Sequence, residues 1–217
     1  MPIGEKHSIR WRETIFDCCC AVLFASPFMG AQSINWEWRH SKYAEQTLRQ
    51  AELTNAERTA IAKAIANQIG PYTSDMKIVG IESEQQLKDA ILDTRIELVD
   101  LNGDGAPEVI AQGTYKEGCS PTGNCPFWVF QKSGHEYRLL VSLSAIQTFQ
   151  IQRSRSDGFR DIVVEMHGSA TQRTLRLLQY SRGKYHEAGC YDANWSVLEG
   201  DTVRDIKEPR LTPCNAR

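Results

Sequence analysis

Between Val99 and Ala111 the chain reads VDLNGDGAPEVIA, with oxygen-bearing side chains on alternate positions at Asp100, Asn102 and Asp104 and an acid returning at Glu108. Carboxylates and amides spaced in this way can curl toward one centre. A hard cation that takes six to eight oxygen ligands needs such an arrangement. Gly105 follows Asp104 and permits a sharp turn that a side chain would resist. Ala106 stands where a backbone carbonyl serves as ligand. With Asp100 as the first position, Glu108 is the ninth, able to bind directly or through water. The twelfth, where an EF-hand places a bidentate glutamate, is Ala111. The loop is therefore not a complete EF-hand, and it is expected to hold Ca2+ at modest affinity, about 10⁻⁴ to 10⁻³ M. The competing reading is a polar turn. Asn-Gly and Asp-Gly accept positive φ, and aspartates bond their own backbone. A plain turn, however, does not need three carboxylates and an amide packed so closely.

The flanks of the loop, IELV before and EVIA after, are strand-like. The segment resembles the short calcium loops of integrin-type FG-GAP repeats and bacterial VCBS repeats, in which D-x-[DN]-x-D-G-x-x-[DE] links adjacent strands. The match covers Asp100, Asn102, Asp104, Gly105 and Glu108. It implies an ion site held by Asp100, Asn102, Asp104, the Ala106 carbonyl and Glu108. It does not imply a propeller, because the chain carries one such loop and no tandem repeat. More loosely, DLNGDGAPEVI, CSPTGNCPFWVFQ, HGSA and GCYDANW together resemble a set of exported bacterial proteins of unknown function, a resemblance that brings no chemistry with it.

Seven cysteines fall into two groups. Cys18, Cys19 and Cys20 lie in the N-terminal stretch, with no leucine and small-residue pair before them to suggest lipid attachment. Cys119, Cys125, Cys190 and Cys214 make an even set, which in an exported chain suggests two disulfides. Of three possible pairings, the most local is Cys119–Cys125 with Cys190–Cys214. The chain-entropy model assigns about 2.4 and about 3.5 kcal/mol to these two loops. A zinc site is disfavoured, since there is no C-x-x-C pair and the histidines are scattered.

The first 33 residues read as a signal peptide. Lys6, Arg10 and Arg12 give a basic start, IFDCCCAVLFA a short apolar run, and Ala31 and Ser33 small residues near a cleavage site. The run is shorter than the roughly 20 apolar residues of a membrane span, and no stable membrane insertion is expected after cleavage. A periplasmic or extracellular location follows. The net charge of −2 and the lack of a basic run give no electrostatic reason to expect nucleic acid.

Other chemistry-bearing residues are less specific. Trp128, in the aromatic stretch after the small cysteine loop, could anchor a partner as hot-spot residues do, although a stapled turn with Phe127 and Trp128 on opposite faces, one in the core, is the plainer reading. MHGSATQR sets His167 near Ser169 and Thr171 but lacks a nucleophile elbow, so it reads as a hairpin turn. Glu97, Asp161 and Glu165 are acids that only spatial proximity could make a pair. Trp36 with Trp38, and Tyr191 with Trp195, could contact sugar or peptide, or seal a core.

The elements that must position these residues read as α+β. N-terminal helices over 41–92 would pack on a meandering antiparallel sheet over 95–190, with an irregular, disulfide-pinned tail over 191–217, all in one domain from residue 34 onward. SKYAEQTLRQAE is a candidate first helix. LTNAERTAIAKAIANQIG is a stronger one, with a Thr54–Glu57 capping box and an Ile61, Ile65, Ile69 face. SEQQLKDAILDT is capped by Ser83. Functionally, the expectation is an exported, non-catalytic binding or structural domain with a calcium-stabilised loop and a protein or glycan partner in the envelope. An envelope inhibitor or immunity-like protein acting on a wall-active enzyme is the second reading. A hydrolase with an unrecognised site is the third.

Overall fold

The computed structural model describes residues 34–114 and 118–214, without the side chains of residues 78 and 79. The expected leader over 1–33, with Cys18, Cys19 and Cys20, lies outside the described residues. The described chain runs β1 (Gln46–Thr47), α1 (Asn55–Ile69), a 3-10 turn (Ser74–Val79), α2 (Glu84–Asp93), β2 (Arg95–Val99), β3 (Glu108–Gln112), β4 (Cys125–Ser133), β5 (Glu136–Ile146), β6 (Thr148–Ser156), β7 (Phe159–His167), β8 (Gln172–Ser181), β9 (Lys184–Glu199) and β10 (Thr202–Pro213).

This corrects the α+β expectation. The fold is dominated by two antiparallel five-stranded sheets, β1-β2-β3-β4-β5 and β10-β9-β8-β7-β6. The chain meanders through both, and it changes sheet at a single residue, Gln147, between β5 and β6. Gln112, almost fully buried, pins that corner: its amide nitrogen donates to the Gln147 carbonyl (2.7 Å), and its oxygen accepts from Ala44 N–H (3.3 Å). Strands that pass from one packed sheet to another make such corners in sandwiches.

Alternation along the strands builds three apolar layers. On β4, Phe127 and Val129 face the second sheet and join Leu101, Ile110, Phe149, Ile162 and Val164 in the core between the sheets. Trp128 and Phe130 face the other way, where α1 and α2 deliver Ile61, Ile65, Leu87 and Ile91. The far face of the second sheet carries a smaller cluster, Trp38, Val163, Leu175 and Ala193. Trp128 is thus a core residue at 4% exposure, and the expectation that it anchors a partner is corrected. Phe127 and Trp128 do lie on opposite faces, but both faces are covered.

Two helices form where the caps predict. Thr54 and Glu57 make the reciprocal capping box of α1, and the Ser83 hydroxyl accepts the Gln86 N–H at the start of α2. The third expected helix, over SKYAEQTLRQAE, does not form. Its Ala44, Leu48 and Ala51 are buried at helix-like spacing, yet the backbone is claimed by other partners. Lys42 exchanges both backbone bonds with Phe149, β1 pairs with β2, and the Arg58 guanidinium takes the carbonyls of Leu48, Arg49, Ala51 and Leu53. Backbone groups of residues 42, 46 and 47 that are spent on strand pairing are not free for the i+4 bonds of a helix, so tertiary pairing overrides local propensity. The tail over 191–217 is not irregular as far as it is described: β9 and β10 form a long hairpin up to Pro213.

Candidate functional sites: the acidic loop and a polar cleft

The acidic loop joins β2 to β3, as its flanks suggest. Its side chains turn inward on its own backbone. Asp100 accepts the N–H groups of Gly103 (2.6 Å) and Gly105 (3.0 Å), Asn102 Oδ1 that of Asp104 (2.8 Å), and Asp104 that of Ala106 (2.7 Å). Gly103 and Gly105 sit at φ near +85°, a region that L side chains resist. Burial works to raise the Asp100 pKa, but the N–H donors of Gly103, Gly105 and Asp104 outweigh it and, helped by Arg155, hold it below the ordinary value.

Glu108 is the buried acid of the loop, at 1% exposure. It accepts from Leu101 N–H (2.8 Å) and from the amides of Asn102 (3.2 Å) and Gln131 (3.3 Å). Burial raises its pKa most. The Leu101 and Gln131 donors oppose the rise, and the charges of Asp104 and Asp100 add to it. The Asn102 amide nitrogen also meets Asp104 (2.8 Å), so one donor bridges two acids. Among the described residues no three carboxylate, imidazole or thiol groups stand together as a metal cage. The donor set is nevertheless all oxygen once Asn102 and the Ala106 carbonyl are counted. The point where Asp104 and Glu108 converge is the point the loop fills with a polarised N–H. That chemistry fits a hard cation held by Asp100, Asn102, Asp104, Ala106 and Glu108.

The loop is also tied to the second sheet. Leu101 is fully buried between the sheets, and its carbonyl accepts from Arg155 (3.0 Å) and from the Arg160 N–H (2.8 Å).

Both disulfides form as the spacing suggests, Cys119–Cys125 and Cys190–Cys214. Within the small loop Asn124 is buried and clamps the backbone of His167, accepting its N–H and donating to its carbonyl (both 2.7 Å). The loop is a brace for β7. Ser169 is far from a nucleophile: its hydroxyl accepts the N–H groups of Thr171 and Gln172 in the β7–β8 turn. Among the described residues, no helix is long and apolar enough to cross a membrane.

The second site is assembled from distant segments. On β7, Glu165 and His167 share the outer face with Val163. On β8 and β9, Arg173 and Trp195 share it with Leu175 and Ala193. The segment after Ile34 is held across this face by Gln152, which pairs with both backbone groups of Glu37 (2.8 and 2.6 Å). It brings Trp38 edge-on to Trp195 (5.6 Å between centroids) and Trp36 against Tyr191 (5.8 Å). The two aromatic pairs noted in the sequence therefore meet across segments, and Trp38 and Trp195 line a cleft. Opposite Trp195 the β9–β10 register shifts: Asp205 pairs with Ser196 but Arg210 with Asn194. A bulge of this kind re-aims side chains, and Lys207, Glu208 and Pro209 from it line the cleft. Pro209, which cannot donate to the ladder, suits that position. The cleft is open to solvent and measures about 490 Å³.

Glu165 lies at the base of the cleft, 2% exposed, paired with Arg173 (2.6 Å) and accepting the Ser41 hydroxyl (3.0 Å). The sequence singled out Glu165, His167, Trp38 and Trp195 separately. Arg39, Ser41, Arg173 and Lys207 escaped it, because only the fold brings them together. Comparison with known proteins returns no match to any family model, curated protein or solved structure.

Proposed function

We propose that the protein is an exported, non-catalytic binding domain whose β2–β3 loop takes a calcium ion as a structural ligand. The observation that carries the reading is Glu108, a buried carboxylate crowded by Asp104 and Asp100 and met only by neutral donors. A bound cation would neutralise these charges and tighten a loop whose Leu101 and Arg155 contacts join the two sheets. Two disulfides support export to an oxidising compartment. The satisfied state of Glu165, with both oxygens bonded, supports binding rather than proton transfer.

The test is a thermal melt in EDTA, in excess calcium and in magnesium. At free calcium of 100 times Kd, linkage gives about 2.7 kcal/mol, a rise in Tm of roughly 5–10 °C for a domain of this size. A calcium-selective rise that disappears in Asp104→Ala supports the reading. No shift at about 10 mM calcium leaves the loop a metal-free turn closed by Asn102.

A further inference from the structure

We propose that the cleft between the Trp38 segment and the β10 bulge binds an acidic sugar, a ring bearing a carboxylate. This deepens the binding-domain reading and rests on it, but no residue of the loop from Asp100 to Glu108 lines the cleft, so the two can fail separately.

An accounting of donors and acceptors gives the ligand its charge. Glu165 spends both oxygens, one on Arg173 and one on Ser41. Thr148 in turn donates to Ser41 (2.9 Å), so the hydroxyl protons of both point inward at protein atoms. On His167, Nδ1 faces the Gln147 amide nitrogen at 3.2 Å. With that nitrogen donating, Nδ1 is the acceptor and the ring proton sits on Nε2. This Nε2 is buried and has no partner among the described residues, a donor left without an acceptor. Lys207 lines the cleft from an exposed position and makes no ion pair among the described residues. Arg39 stacks on Trp38 (5.0 Å) and meets Glu208 with one nitrogen (3.0 Å), which leaves other guanidinium N–H groups open. The unspent groups are thus mostly donors, two of them cationic, and a carboxylate satisfies them.

The remaining surface gives the ligand its ring. Tyr43, 42% exposed at the rim, adds an aromatic ring, with the Arg95 guanidinium 5.8 Å from its centroid. The exposed Glu208 carboxylate and the Thr148 oxygen offer acceptors for hydroxyl groups. An apolar face joined to interleaved donors and acceptors matches a sugar ring better than a plain inorganic anion. The volume lies within the roughly 300–1,000 Å³ of small-ligand sites.

The experiment titrates the full chain with trigalacturonic acid in EDTA, followed by calorimetry and tryptophan fluorescence, with Trp38 and Trp195 as the local reporters. Parallel arms use the neutral galactose trimer and triglutamate. Trigalacturonic acid should saturate with a Kd below about 1 mM, the neutral trimer should bind at least about tenfold more weakly, and Lys207→Gln should lose about tenfold. Lys207 is exposed, so this variant keeps the fold. His167→Phe, which removes the unpaired donor, should also weaken binding, and its melt checks that it folds. Absence of saturation up to about 10 mM, equal binding of the neutral trimer, or no effect of Lys207→Gln overturns the proposal. Tighter binding of triglutamate overturns the sugar assignment and makes the cleft a site for acidic peptide. Loss of the calcium-dependent melt with sugar binding intact sinks only the loop reading.

Discussion

The acidic loop and the outer cleft solve opposite problems. The loop is nine contiguous residues that satisfy one another: nearly every inward carboxylate oxygen meets an N–H from within the loop. The cleft draws on six segments separated by up to about 170 positions, and among the described residues it leaves donors without acceptors. A contiguous motif can close on itself before the rest of the fold exists. An assembled site exists only when the sheets, the N-terminal segment and the β10 bulge are all in place. The first kind tends to stabilise, and the second is free to recognise.

The sharpest way to break this contrast is to cut the tie between the loop and the core. Leu101→Ala should cost about 2–5 kcal/mol in urea denaturation, the range for deleting a fully buried leucine side chain. A cost near zero would mean that the loop is an appendage and not part of the inter-sheet core. Next in size is Glu165→Ala at the base of the cleft. It should cost about 1–3 kcal/mol, for the lost charge-assisted bonds and a half-exposed Arg173 that can turn to water. Denaturation that stays at the parent value would show that the cleft's floor is not held by this acid.

The pH dependence separates two carboxylates of opposite sign. The Glu108 pKa is raised above its usual 4.5, so its contribution is full below 4.5 and is lost as pH rises through the folded value. Glu57 is held down to about 2 by the Lys132 ammonium and the Thr54 cap. Its contribution is present above 4.5 and is lost as pH falls toward 2. Stability measured between pH 2 and 7 in EDTA should show a shallower acid-side slope in Glu57→Gln, the remainder coming from the other lowered carboxylates, Asp100, Glu37 and Glu136. In Glu108→Gln it should lose the decline above 4.5. Calcium should reverse the Glu108 slope, because only the carboxylate binds the ion. Unchanged slopes in both variants would remove the electrostatic account. The smallest effect is expected from Asp104→Ala without calcium, within about 0.5 kcal/mol, since Asp104 and its partner Ala106 are exposed and its other partner, Asn102, is only half-buried. A larger loss would make Asp104 a structural residue whether or not an ion binds.

These two regions also show what a sequence carries. The loop was legible because its chemistry is spaced along the chain, and the disulfides because each pairing is local. Strands β2 to β9 were visible as alternating apolar runs. The division into two sheets was not, because the change of sheet occurs at Gln147 without a turn signal, and the buried Gln112 that pins it looks like any polar strand residue. The false helix over 41–52 had the right spacing of Ala44, Leu48 and Ala51, and nothing local reveals that its backbone will pair with β2 and Phe149. Trp128 was offered as an anchor because a helical layer over β4 does not show in the sequence of β4. Glu165 and His167 were noticed, but their companions Arg173 and Lys207 became meaningful only through strand register.

One covalent link bears on all of this. β10 is an edge strand with β9 as its sole neighbour in the sheet, and its last residues are fastened there by Cys190–Cys214. Lys207 and Glu208 reach the cleft from this strand, yet β10 supplies nothing to the core between the sheets. The bond is not alone in holding this wall: the ladder to β9 runs from Thr202 to Pro213, and Leu211 packs against the cluster of Trp38, Val163, Leu175 and Ala193. The disulfide is thus a second fastening at the far end of a strand that is already sewn down, and it fixes where the edge beside the cleft stops.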